Sequence, residues 1–98
     1  MAEVGFLPLA EAEYAMARSW YETKSPQAAQ DFEAEVIRAV ERIGTNPTLY
    51  ALEDRVHHLC PVNRFSYVLA YRIEPSGDVL VVAVAHTSRT SAPWRGRT

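Results

Sequence analysis

The chain has 98 residues, a net charge of −2 and 48% apolar content. That is enough for one domain over residues 1–98 with a modest core, and too little positive charge for a general nucleic-acid binder. No apolar run reaches the roughly 18 residues a membrane helix needs, acidic Glu3 stands where a secretory leader would carry bases, and the lone Cys60 excludes an internal disulfide or a multi-cysteine metal site; a cytoplasmic protein is expected.

Glu3 to Leu7 reads as a short strand ended by Pro8. From Leu9 to about Thr23 the pattern is helical, with Leu9, Ala12, Met16 and Trp20 recurring at spacings of three and four as the apolar stripe. Ser25-Pro26 then opens a second helix, serine as N-cap and proline at the first helical position, where its missing N–H costs nothing. Phe32, Val36, Val40 and Ile43 make its apolar stripe, Gly44 its stop, and Pro47 follows beyond. So short a connection folds the helices back on each other as an antiparallel hairpin.

Asn46 to Arg55 is a loop, and Val56 to Val62 a strand that Pro61 either restricts to a sheet edge or ends early. Ser66 to Glu74 alternates: Tyr67, Leu69, Tyr71 and Ile73 share one face, Ser66, Val68, Ala70 and Arg72 the other. Pro75 to Asp78 is a hairpin turn in which Gly77 takes the positive φ. Val79 to Ala85 is apolar throughout, as expected of a central strand buried on both faces. The order β-α-α-β-β-β predicts an α+β fold of two layers, a helical hairpin packed on a twisted, mainly antiparallel sheet.

Charge is unevenly spread. Residues 1–54 hold four bases and ten acids, a net of −6, whereas residues 55–98 hold six arginines (Arg55, Arg64, Arg72, Arg89, Arg95, Arg97) and two acids, a net of +4. Two readings follow: an anionic partner for the C-terminal half, or acidic helices that simply solvate one side.

Several segments carry a resemblance in their order and spacing: the opening strand and alanine-rich helix ending Trp20-Tyr21; Ser25-Pro26-Gln27-Ala28-Ala29; Ile43-Gly44-Thr45-Asn46-Pro47; Arg64-Phe65-Ser66-Tyr67 with Tyr71-Arg72-Ile73; and Ala83-Val84-Ala85-His86-Thr87-Ser88-Arg89 followed by Trp94 and Arg97. Together they cover nearly the whole chain and resemble the RelE/ParE toxins of bacterial type II toxin–antitoxin systems, leaning to the ParE side. The resemblance implies a helical hairpin against an antiparallel sheet and a cognate ParD- or RelB-like antitoxin as partner in a hetero-oligomer. It implies either of two activities: poisoning DNA gyrase, as ParE-like members do, or cutting messenger RNA on the ribosome, as RelE-like members do. The chain departs from the family in having His57-His58 where arginine is frequent, no base or proline at Thr90 and Ser91, and a slightly acidic balance.

RNA cleavage needs a base for the 2′-OH proton, an acid for the leaving oxygen and cations for the phosphate. His86 is the acid/base candidate because its ordinary pKa lies near neutrality, and Arg64 and Arg89 are the phosphate clamps. The other reading of His86 is a strand-end cap of a hydrogen-bond network. Arg64, Arg72, Arg89, Trp94, Arg95 and Arg97 form the candidate target-binding set, with Trp94 either stacking on a partner or covering the sheet. His57 and His58 are neighbours on a strand and so point to opposite faces, which leaves them no shared ion; no metal and no cofactor are expected. The thin set of acid/base residues favours a gyrase-binding toxin. A ribosome-dependent endonuclease and a weakened toxin or decoy that only binds antitoxin are the alternatives. The antitoxin is expected in an apolar groove beside the helical hairpin.

Overall fold

Pro8 closes the first strand and opens the first helix, since a proline ends a ladder as readily as it starts an α-helix. The computed structural model describes residues 1–88 and 92–97. In it β1 is Val4–Phe6, α1 Pro8–Glu22, α2 Pro26–Thr45, β2 His58–Val62, β3 Tyr67–Ile73 and β4 Val79–His86. The sheet order is β1-β4-β3-β2, with β1 parallel to β4 and the other pairs antiparallel. The predicted α+β architecture and element order hold. β4 is central, and β2 with Pro61 is an edge.

Ser25 caps α2 as its sequence indicates, its hydroxyl accepting from the Ala28 amide at 3.0 Å. Arg18 on α1 donates to Glu33 on α2 at 2.9 Å, tying the hairpin together. The helices cover one sheet face, burying Phe32, Val36 and Ile43 against Leu69, Tyr71, Val79, Val81 and Val84. The other face, built on Ala70, Val82, Ala83 and Ala85, is covered by Trp94 from the C-terminal segment.

Two expectations are corrected. Leu9, Met16 and Trp20, read as the buried stripe of α1, are 56, 73 and 54% exposed. The core face is instead Ala10 and Ala17 with Tyr14 and Tyr21. Both sets have helical spacing, so periodicity alone does not rank them; small residues win where the backbone of α1 must approach the sheet closely. Gly44 is not the helix stop. It lies in the last turn of α2, and a Cβ there would come within 3.2 Å of the Ala2 carbonyl oxygen and 3.5 Å of Val4. The Ala2 amide donates to the Gly44 carbonyl at 2.9 Å, so the glycine admits the N-terminal segment and the helix ends at Thr45.

Tyr71 is fully buried and its hydroxyl donates to the Pro47 carbonyl at 2.7 Å. Burial, with Cys60 and Tyr50 adding, pushes its phenol up to about 12. Burial also raises Tyr14 and Tyr21, helped by Glu33 and Tyr67 respectively. A folded-state pKa above the unfolded value of about 10 gives stability that is complete below that pH and is lost as pH rises towards 12. The urea midpoint is therefore expected to fall steadily above about pH 10, and the fall to be shallower in Tyr71→Phe; an unchanged slope in that variant would exclude Tyr71 as the source.

Candidate functional site

The side of the sheet on which His86 lies depends on an irregularity in β4. Ala70 pairs with Ala83 but Tyr71 pairs with Val81, leaving Val82 as an extra residue. A bulge of this kind reverses the alternation beyond it. Val79 and Val81 face the helices before the bulge and Val84 does so after it, so His86 falls on the helical side. There its ring meets Tyr67 edge-on, with centroids 5.1 Å apart.

The Ser88 amide donates to His86 Nδ1 at 3.1 Å, and the Ser88 hydroxyl lies 2.7 Å from the same nitrogen. An amide N–H only donates, so Nδ1 is an acceptor and the neutral ring carries its proton on Nε2. The remaining ring nitrogen is then a donor. It is suited to binding an oxygen, and without its lone pair it is unsuited to taking a proton from a hydroxyl.

His86 lies in a groove of about 630 Å³ lined by Glu13, Met16, Ala17, Trp20 and Tyr21 of α1, Ser66 and Tyr67, and Val84. The groove exists because β1 is short. After the Leu7 amide donates to the Val81 carbonyl at 2.9 Å, Pro8 turns the chain into α1, and β4 runs on with one side open. Two side chains occupy that side: Arg97 donates to the Val82 carbonyl at 2.9 Å, and Glu13 accepts from the Val84 amide at 3.0 Å. The same two residues form a forked pair at 2.8 and 3.1 Å. Nothing in the sequence reading pointed to Glu13; its signal was an acid on the same helical face as Leu9, Met16 and Trp20.

The candidate residues are not gathered in one place. Arg64, in the β2–β3 turn with a left-handed φ of 72°, lies at the His86 end of the sheet, 3.6 Å from Asp31 and 3.7 Å from Glu35 on α2. Arg72 is towards the other end of β3, 3.5 Å from Glu74, and donates to the Arg97 carbonyl at 3.2 Å. Arg95 meets Glu53 at 3.3 Å and Asp54 at 3.7 Å. Trp94, only 8% exposed, lies in the core on the second sheet face. Arg89 lies outside the described residues. The opposite charges of the two halves thus meet within the fold: Arg64, Arg95 and Arg97 pair with acids of the first half. Part of the uneven charge is therefore met inside the fold, chiefly by the half-buried Arg97–Glu13 pair, since the exposed pairs of Arg64 and Arg95 contribute little.

The two adjacent histidines have separate partners. His58 stacks on Tyr71 with centroids 5.0 Å apart, and its Nδ1 lies 2.6 Å from the Tyr50 carbonyl oxygen. His57 Nδ1 lies 3.0 Å from Asp54, which also accepts from the Val56 and His57 amides at 2.7 Å each. Burial would raise the Asp54 pKa, but these hydrogen bonds outweigh it and hold the carboxyl well below the usual carboxylate range. Cys60 is fully buried. Among the described residues no cluster of three or more histidine, cysteine or acidic side chains is placed to hold a metal, and no helix is long and apolar enough to cross a membrane.

A family model described as "ParE toxin of type II toxin-antitoxin system, parDE" matches residues 4–90. No curated protein matches the chain. A solved structure described as "Chromosomal ParDE TA system from P. aeruginosa" is similar in fold, with a TM-score of 0.75 over 88% of this chain and 96% of that one, at 11% identity.

Proposed function

Because the chain belongs to the ParE toxin family of type II toxin–antitoxin systems, we propose that it stops growth by binding DNA gyrase, cuts no nucleic acid, and is held inactive in the cytoplasm by a cognate antitoxin. The observation that carries this reading is the state of His86. With Nδ1 engaged by the Ser88 amide, the ring offers a donor where an RNA-cleaving base would need a lone pair. The dispersal of the arginines supports it too, since Arg64, Arg72, Arg95 and Arg97 each already meet a carboxylate. The groove between α1 and β4 is the antitoxin's docking place in this reading. Met16 and Trp20 stand exposed along it as apolar anchors for an amphipathic segment.

The test is induced expression in bacteria lacking the antitoxin, with growth, transcript 5′ ends and gyrase supercoiling followed together. Growth arrest, inhibited supercoiling and no new 5′ ends are expected. His86→Ala should reduce arrest by less than about threefold, against the factor of 10²–10⁴ that loss of a general acid/base costs an enzyme. Codon-phased 5′ ends that vanish in His86→Ala would make this a ribosome-dependent nuclease. Absence of arrest, with antitoxin binding intact, would identify a decoy.

A further inference from the structure

We infer that the C-terminal segment, residues 92–97, is a strap that opens as one unit and in opening uncovers two surfaces at once: the β4 edge in the α1–β4 groove and the apolar face on the far side of the sheet. The opening depends on no partner; only its use by an antitoxin would rest on the toxin reading. Among the described residues no backbone–backbone hydrogen bond joins the strap to the sheet, and the Arg95 and Arg97 amides donate to Ala92 and Trp94 within it at 3.1 and 3.2 Å. Its ties to the rest of the fold run through side chains. The Arg95 side chain is 59% exposed, so its pairs with Glu53 and Asp54 contribute little. Arg72 reaches the Arg97 carbonyl. The two main anchors are then the Trp94 indole on the second sheet face and the half-buried Arg97–Glu13 pair at the β4 edge.

The first anchor is imperfect. A buried indole usually finds an acceptor, yet Trp94 Nε1 is buried with none among the described residues. Opening hydrates that N–H, which offsets part of the apolar burial lost. The second anchor is also the plug of the β4 edge. Arg97 covers the Val82 carbonyl, Glu13 covers the Val84 amide, and the forked bond between them holds both in place. The strap cannot leave without Arg97 leaving Glu13. Glu13 then has no counter-ion, and water draws its carboxylate away from Val84. Trp94 belongs with Val82, Ala83 and Ala85 on one face of the sheet, whereas Val84 belongs to the core on the other. The link between Trp94 and the Val84 amide therefore runs through the edge pair. Whatever holds one of the two surfaces open favours the other by the same factor, because coupling through one equilibrium is reciprocal.

Hydrogen exchange followed by NMR on the whole chain tests this without a partner, so a negative result leaves the toxin reading standing. The Trp94 indole N–H and the Val84 amide are compared with the Leu69 and Tyr71 amides in the middle of the sheet, each as a protection factor. Trp94 and Val84 are expected to agree within about threefold, and both to be at least about tenfold less protected than Leu69 and Tyr71. Low urea should speed exchange at Leu69 and Tyr71 more than at Trp94 and Val84, since a local opening exposes less surface than unfolding does. Arg97→Gln should lower protection at Trp94 and Val84 by one common factor of about ten or more, whereas Arg95→Gln should change either by less than about threefold. Protection of Trp94 within about tenfold of Leu69 and Tyr71, a gap above about threefold between Trp94 and Val84, or an Arg97→Gln effect on only one of the two would each overturn the inference. The first of these outcomes would mean that the strap opens only when the whole fold does.

Discussion

Phe32→Ala is expected to lower unfolding stability by about 3–5 kcal/mol, the range for emptying an aromatic core site. Phe32 is fully buried between the layers, with ring centroids of Tyr14, Tyr21, Phe65 and Tyr67 at 5.8, 5.0, 5.3 and 5.4 Å. Removing it leaves four rings around a void and forfeits a stacked contact with Tyr14, a tilted one with Tyr21 and edge-to-face contacts with Phe65 and Tyr67, aromatic pairs being worth ~0.5–1.5 kcal/mol each beyond area. Against a total of about 5–15 kcal/mol for a chain of this size, that brings the fold close to its limit. The control is Trp20→Ala, a larger side chain on the exposed side of α1, expected to change stability by about 0.5 kcal/mol or less. Urea unfolding of both, with circular dichroism, separates the faces of α1. A large loss from Trp20→Ala would restore the stripe that periodicity alone suggests.

Glu13→Ala is the second large effect, expected at about 2–3 kcal/mol, near the low end for breaking a buried charge pair because both side chains keep some exposure. The substitution removes the acceptor of the Val84 amide and strips Arg97 of its counter-ion in one step. It should also free the C-terminal segment, since Arg97 follows Trp94 by three residues. In a Trp20→Phe background, where Trp94 is the one remaining tryptophan, Glu13→Ala should shift the emission to the red as the indole meets water. Glu13→Gln keeps an oxygen for the Val84 amide and should recover part of the loss. A cycle with Arg97→Ala should show a coupling of about 1–3 kcal/mol. Additive losses and an unshifted emission would mean that the pair neither closes the β4 edge nor holds the segment.

Phe32 was readable from the sequence and Glu13 was not. Phe32 belongs to a stripe that also contains Val36 and Ile43, on a helix announced by Ser25-Pro26, and burial followed the pattern. α1 was ambiguous because its second apolar face has the same spacing as its first. Glu13 was not readable as a partner of Arg97, a residue 84 positions away, because pairing at that distance depends on how the elements stack. Gly44 shows the same limit in a single residue. Glycine near a helix end usually stops the helix, whereas here it makes room for a backbone approaching from the N-terminal segment.

The chain by itself determined the element order, the antiparallel hairpin and the central place of β4, and left Pro61 to mean an edge strand or an early end, because hydrophobic period, proline and N-cap chemistry act over a few neighbouring residues. Only the tertiary structure decided which face of α1 is buried, which acids answer which arginines, and where His86 points. The last rests on one extra residue in a strand that is apolar from end to end. A uniform strand carries no alternation from which a bulge can be read, and the bulge is decided by how β3 and the helices pack against it.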